Sequence, residues 1–362
     1  MDRTGIYYWK CDRAAAFHGT SDYEKDQSDI TAALDRELSE RFGSSFSDLM
    51  PGLGQGNHRT FKAKLDGKDV FIRTEDGVER DDYLAVEAAA TEKVAALGVP
   101  VPRTLAYDCS RIRVPFAWQI IEFFPYGDLN FLVKRGELDW SAVAPQIGRA
   151  IAAWQEVRPD GFGLFSAEAA KRGEGLKGLH GSFAEYYRLN LAKHLNFLVD
   201  NAFIDSAYAA RIVEAIEARA KLLDLERGVL VHKDIAVWNI LGTADEAKCY
   251  IDWDDCIAGD PMDDLSLMGV TAEGPETRLI VEAYGKARAL PPDAEPRFWL
   301  CWLRNMIFKS VIRVGAGYFK KFGDGFFLIG GGKDGSDLES VTRRKLEQAL
   351  VALEKGLGFD AI

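Results

Sequence analysis

The chain has 362 residues, 47% of them hydrophobic and 28% charged, with a formal net charge of −11. That is the profile of a soluble folded protein long enough for two lobes with separate cores. So acidic a surface disfavours nucleic acid and anionic membrane, both polyanions, and tolerates a cationic substrate. Cys11, Cys109, Cys249, Cys256 and Cys301 are scattered and form no CxxC pair, and the five histidines form no HExxH pattern. This argues against a disulfide framework or a zinc cluster. Asp2, Arg3 and Asp12 make Met1–Thr20 too polar for a secretory leader. No apolar run nears the roughly 20 residues of a membrane span. The expected location is the cytoplasm, and the default expectation is a monomer.

Residues 1–27 are aromatic-rich near Tyr7, Tyr8 and Trp9, then polar, and read as an amino-terminal extension without an evident role. In Ser28–Arg41 the spacing of Ile30, Leu34 and Leu38 predicts a helix, with Ser28 or Asp29 as its cap. Phe61–Leu65 and Val70–Arg73 read as strands joined by a tight turn at Asp66-Gly67-Lys68. An alanine-rich helix over Asp81–Leu97 stops at Gly98, Val99-Pro100-Val101-Pro102 opens an extended segment, and Trp118–Phe123 is an apolar strand. Pro125 and Gly127 break the pattern. They place the boundary between a small β-rich lobe, 28–124, and a larger lobe, 125–362. In the larger lobe Ala144–Val157, Phe183–Asn201, Ser206–Leu223 and Phe298–Val314 carry helical periodicity, and one β hairpin interrupts them within Val229–Asp255. The fold class is α+β.

The hairpin carries the chemistry. Asp234 and Asn239 stand on a loop entering the strand Asn239–Leu241, and Gly242–Ala247 connects it to Lys248–Asp252. Such a hairpin returns Asp252 to the side of Asn239. Three oxygen-bearing side chains at one point suit phosphoryl transfer from ATP: one carboxylate orients or deprotonates a hydroxyl, and an amide with a second carboxylate holds magnesium. Asp234 is the candidate base, and Asn239 and Asp252 the candidate metal ligands. His-x-Asp-x4-Asn alone is a weak signal in a chain this long, and an Asp and Asn near a strand can be plain turn residues. Ile251-Asp252-Trp253 and Gly259-Asp260-Pro261-Met262-Asp263-Asp264-Leu265 are independent conditions met in the same order.

Together these motifs resemble the aminoglycoside phosphotransferase family, relatives of the protein kinases. The likeness is motif-level here and looser over about 28–350. It implies a two-lobed protein-kinase-like fold, ATP with Mg2+ as cofactors, and a small-molecule alcohol as substrate. It further implies that Gly54, Gly56 and Asn57, in a glycine-rich turn, approach the phosphates. Arg73, standing where protein kinases have lysine, would pair with Glu87 and grip the nucleotide. The backbone of Glu122, Phe123 and Phe124 would meet adenine. His232, Asp260 and Asp264 would support the catalytic loop, with Asp254 and Asp255 open to a substrate ammonium. Phe46–Met50, Val70–Arg73 and Gly161-Phe162-Gly163 look like hygromycin B phosphotransferases, which leans toward an aminoglycoside acceptor. The alternatives are a kinase of a sugar, choline or homoserine-like alcohol, and a silent nucleotide-binding regulator. A protein kinase is disfavoured because Gly-Asp-Pro stands where Ala-Pro-Glu is expected.

Overall fold

The computed structural model describes residues 2–13, 16, 28–52, 58–321 and 337–362. Among them the small lobe is built on an antiparallel sheet of β1 (Phe46–Pro51), β2 (Arg59–Leu65), β3 (Lys68–Glu75), β4 (Thr104–Asp108) and β5 (Ala117–Glu122), in the order β1-β2-β3-β5-β4. The β2–β3 hairpin closes at Leu65↔Lys68, with Asp66 and Gly67 both left-handed at φ 52° and 74°, as a two-residue turn matched to strand twist requires. β1 escapes a reading by alternation because only Phe46 of its six residues is buried. The Ser28–Phe42 helix lays Leu34 and Leu38 on Phe46, Phe61, Ile72, Trp118 and Ile120, which form the lobe's own core.

The larger lobe is mainly helical, but it holds more sheet than the single expected hairpin. β6 (Phe162–Phe165), β7 (Gly178–His180), β8 (Val229–Val231) and β11 (Ile257–Gly259) form one sheet in the order β7-β6-β11-β8. β9 (Ile240–Gly242) and β10 (Ala247–Tyr250) form the hairpin. Strands of three or four residues are too short to display a period of two. Gly163, at φ 74°, lies where a Cβ would press on the rings of Tyr186 and His180, so packing explains that glycine.

The helix expected over Phe183–Asn201 is two, Phe183–Arg188 and Leu191–Asp200. They are split at Asn190, which is left-handed at φ 56° and donates Nδ2–H to Gly5 O at 2.9 Å. No proline or glycine marks that break. Ser206–Glu217 is helical and is followed by a separate 3-10 turn, Ala220–Leu223. The Trp140–Trp154 helix starts earlier than expected because Asp139 caps it, accepting from the backbone N–H of Ser141 and Ala142.

The amino-terminal segment is part of the larger core rather than an appendage to it. Ile6, Tyr7, Tyr8 and Trp9 are all buried there. Tyr7 stacks on Tyr186 with ring centres 4.9 Å apart, and Tyr8 on Phe308 at 4.2 Å. Arg3 lies over the rings of Tyr83 and Trp9 and donates Nε–H to Asp81 at 2.6 Å, both partners being nearly inaccessible. The helix Tyr83–Ala96, although it follows β3, buries Leu84, Val86, Ala90 and Val94 in this larger core as well.

Arg3→Ala strands a buried carboxylate, so it should lower the unfolding free energy in urea by about 3–5 kcal/mol. Arg3→Ala/Asp81→Ala should recover part of that loss, and a single-variant cost below about 1 kcal/mol would show that the segment is not anchored by this pair.

Candidate active site

β8 is fully buried and ends at Val231, from which the chain enters the loop His232–Ala236. The carboxylate of Asp264, at the start of the Asp263–Thr271 helix, accepts from His232 N–H at 2.9 Å, Lys233 N–H at 3.1 Å and Trp154 Nε1–H at 2.9 Å. His232 is inaccessible. Its Nδ1 accepts from Asp234 N–H at 3.3 Å and its Nε2–H donates to Ile251 O at 2.9 Å, so the partners fix the tautomer. Burial holds its pKa below the ordinary value and keeps the ring neutral. The imidazole is a strut between the loop and the hairpin. Lys233, left-handed at φ 69°, turns its ammonium to Asp263 at 2.8 Å, Asn305 Oδ1 at 3.0 Å and Tyr7 OH at 3.1 Å. Asp260 accepts from Met262 N–H and from Arg297, each at 2.8 Å, so it clasps the turn before the helix.

The β9–β10 pairing continues past Tyr250, since Ile251 N–H donates to Asn239 O at 3.0 Å. That register sets Asp252 beside Asn239. Asn239 donates Nδ2–H to Asp234 O at 2.8 Å, which leaves its Oδ1 available as an acceptor. Asp252 is left-handed at φ 69° and its side chain is 35% exposed, so it is the open carboxylate of the group. Burial by its surroundings and the neighbouring Asp254 push its pKa up to about 6 against the pull of Arg73 and Lys10.

From the small lobe, Arg73 on β3 is paired with Glu87 of the Tyr83–Ala96 helix, donates to Gln119 Oε1 at 3.0 Å and reaches Asp252 at 3.3 Å. Glu87 also accepts from Trp253 N–H at 3.2 Å, which ties strand, helix and Ile-Asp-Trp segment into one cluster. β5 leaves the sheet at Glu122↔Val70, freeing the backbone of Phe123 and Phe124 beyond it. The Glu122 carboxylate is engaged outside, by Arg103. Gly54, Gly56 and Asn57 lie outside the described residues.

Asp254 and Asp255 are 6% and 3% exposed and face protein side chains, Asp254 bonding His58 Nε2 at 3.1 Å and Asp255 lying 3.6 Å from Arg3. Neither is presented to a substrate ammonium in this arrangement. Sequence reasoning did not find Lys10, Lys309 or His58. Lys309 Nζ lies 2.7 Å from Asp234 Oδ1, and Lys10 Nζ 3.2 Å from Oδ2. Burial raises the pKa of Asp234, but these two ammoniums outweigh it and hold the carboxyl well below the usual range. Among the described residues Cys11, Asp12 and His194 also gather within 4.8 Å. His194 Nδ1 is bonded to Arg304 and Asp12 faces Lys193, so cations surround that cluster.

A sequence model of the phosphotransferase enzyme family (APH) matches residues 51–299, which spans β2 through the hairpin and into the Ala294–Gly315 helix. The chain belongs to this family. No curated protein matches its sequence. Solved structures similar to this phosphotransferase include aminoglycoside phosphotransferase APH(4)-Ia, 16% identical with a TM-score of 0.63, covering 89% of this chain and 98% of that one. A thermostable mutant of that enzyme in ternary complex with ADP and hygromycin B is 17% identical with a TM-score of 0.60, covering 90% of this chain and 99% of that one. Macrolide 2′-phosphotransferase MphH from Brachybacterium faecium is 18% identical with a TM-score of 0.54, covering 90% and 98%. At these identities the likeness shows the fold, which is the two-lobed protein-kinase-like one. Among the described residues no helix is long and apolar enough to cross a membrane.

Asp264→Ala leaves buried N–H donors unpaired and should cost at least about 3 kcal/mol in urea unfolding. A cost below about 1 kcal/mol would show that the loop is held by other means.

Proposed function

We propose that the protein transfers the γ-phosphoryl group of ATP to a hydroxyl of a small molecule. The observation that carries this reading is the meeting of Asp234, Asn239 and Asp252 at one loop and hairpin, with Arg73 reaching them from the other lobe. In the reaction the acceptor oxygen bonds to the γ-phosphorus, the bond from that phosphorus to the β–γ bridging oxygen breaks, and ADP leaves. Asp234 accepts a hydrogen bond from the attacking hydroxyl. With its pKa held low, it takes the proton only late, as the new O–P bond forms, which suits the loose transition state of phosphoryl transfer.

The donor set fits magnesium. Asn239 Oδ1 and the Asp252 carboxylate are hard oxygen ligands, and Asp252 is destabilised by Asp254, a condition a cation relieves. Magnesium bound there supplies charge neutralisation for the phosphate oxygens. On the nucleotide side Arg73, fixed by Glu87, is the candidate phosphate ligand. Gly54, Gly56 and Asn57 form the candidate glycine-rich turn, and the backbone of Glu122–Phe124 the candidate adenine contact at the junction of lobes 28–124 and 125–362. His232, Asp260 and Asp264 hold the loop. Hygromycin B and other aminoglycosides enter as test acceptors on fold and motif likeness.

Asp234→Asn should lower turnover by about 100-fold or more while leaving ATP affinity within about 3-fold of wild type. Full activity in this variant would remove Asp234 from the chemistry. Burial and the neighbouring Asp254 push the pKa of Asp252 up to about 6, and it binds metal only as the carboxylate, so protons compete with magnesium below that value. Apparent magnesium affinity should therefore be constant above pH 7 and fall by about 10-fold per unit once the pH drops well below 6, as read by magnesium-dependent thermal shift at pH 5.0–8.0. A flat profile would assign the metal to other ligands.

A further inference from the structure

We infer that the acceptor carries a negative charge, a carboxylate or a phosphate ester, beside its reacting hydroxyl, and that Lys10 and Lys309 are the residues that select it. The inference rests on the kinase reading above and names the substrate class for that site. The acceptor hydroxyl must come within about 3 Å of Asp234. Both oxygens of that carboxylate are already met by ammoniums, Lys309 at 2.7 Å and Lys10 at 3.2 Å. Asp234 with Lys309 and Lys10 is one carboxylate between two ammoniums, a trio that carries one positive charge at the point of attack. A group one or two bonds beyond the hydroxyl falls within reach of one or the other lysine.

The two lysines also act against each other. Burial lowers the pKa of Lys309, and Lys10 and Arg313 add to the lowering, so Asp234 does not fully compensate it. Asp234, and after it Asp255, Asp252 and Asp254, keep Lys10 protonated against the cost of its burial. The last three carboxylates face other side chains, Asp252 facing Arg73, Asp254 His58 and Asp255 Arg3, with Arg73 shared with Glu87 and Arg3 with Asp81. Among the described residues Asp234 is the carboxylate that pairs with Lys10 and Lys309. An arriving anion relieves the repulsion between the lysines, and an arriving ammonium aggravates it.

Lys10 is not a removable plug. Its segment is fixed by the buried side chains Ile6–Trp9 and by the Arg3–Asp81 pair, so it is a standing wall of the site. Its side chain is 36% exposed, against 12% for Lys309, so it is the more accessible of the two ammoniums.

The test is ADP release by the full chain, with ATP and magnesium, on acceptors matched in skeleton and differing in charge. The three-carbon set is glycerol, glycerate, glycerol 3-phosphate and 3-amino-1,2-propanediol, with corresponding sets on pentose and hygromycin B-sized amino sugar skeletons. The expected result is that kcat/KM is greatest for a carboxylate or a phosphate member, the two arms separating the two anions. In Lys10→Met and Lys309→Met the ratio of anionic to neutral acceptor should fall by about 10-fold or more, with KM for ATP unchanged and Lys10→Arg restoring the ratio. Preference for a neutral or cationic member, or an unchanged ratio in the variants, overturns the inference. If no acceptor turns over, the same claim is read from malonate and inorganic phosphate. Either should raise the melting temperature of wild type with magnesium and AMP-PNP but not of Lys10→Met/Lys309→Met, and equal effects on both proteins overturn it. Wild type that fails to bind AMP-PNP at all sinks the kinase reading instead, a distinguishable result.

Discussion

The carboxylate of Asp264 is the point on which the site depends. It is inaccessible, it sits at the positive end of a helix, and it gathers the backbone N–H groups of His232 and Lys233 together with the Trp154 indole. Burying a carboxylate is costly unless its oxygens are satisfied, and here donors from the loop and a neighbouring helix satisfy them. The loop is thereby held in a conformation that includes a left-handed lysine, a strained state that persists because its surroundings over-determine it. Asp234 follows directly. Its position is set by the backbone on either side, with His232 joining it to the returning strand that ends in Asp252.

Around this frame the protein crowds carboxylates that would repel one another if left alone. Asp234 is faced by Lys309 of the 294–315 helix and Lys10 of the amino-terminal segment, Asp252 by Arg73 of β3, Asp254 by the His58 imidazole ahead of β2, and Asp255 by Arg3. This charge balance ties the lobes together, because Arg73 and His58 come from the small lobe and their partners from the large one. The amino-terminal segment that supplies two of these cations is anchored by the burial of Arg3 and Ile6–Trp9. Arg3 and Lys10 are useful only where they are, and the aromatic run between them is the ballast that keeps them there.

Much of the site was legible because its parts are close in sequence. Asp234, Asn239 and Asp252 are joined by a hairpin whose turn and strands can be read locally, and the glycine-aspartate-proline element follows at once. Arg73 and Glu87 could be placed by their positions on a strand and the next helix, and they are paired. Lys10 and Lys309 were not legible. They lie 224 and 75 residues from Asp234, on an aromatic segment and an apolar helix, where a lone lysine looks like solvent-facing punctuation. The short strands β6, β7 and β11 that join β8 in a sheet were missed for want of periodicity, and the break at Asn190 because an asparagine took a backbone state usually flagged by glycine. What failed to show was what long-range packing decides.

Asn239, Asp252 and Arg73 are proposed to form one magnesium-nucleotide site beside Asp234. Titration calorimetry with AMP-PNP tests it most directly, with and without magnesium, on wild type and Asp252→Ala. Binding should strengthen with magnesium in wild type and lose that dependence in Asp252→Ala, with the variant still folded. Magnesium-dependent binding of equal strength in both proteins would contradict it.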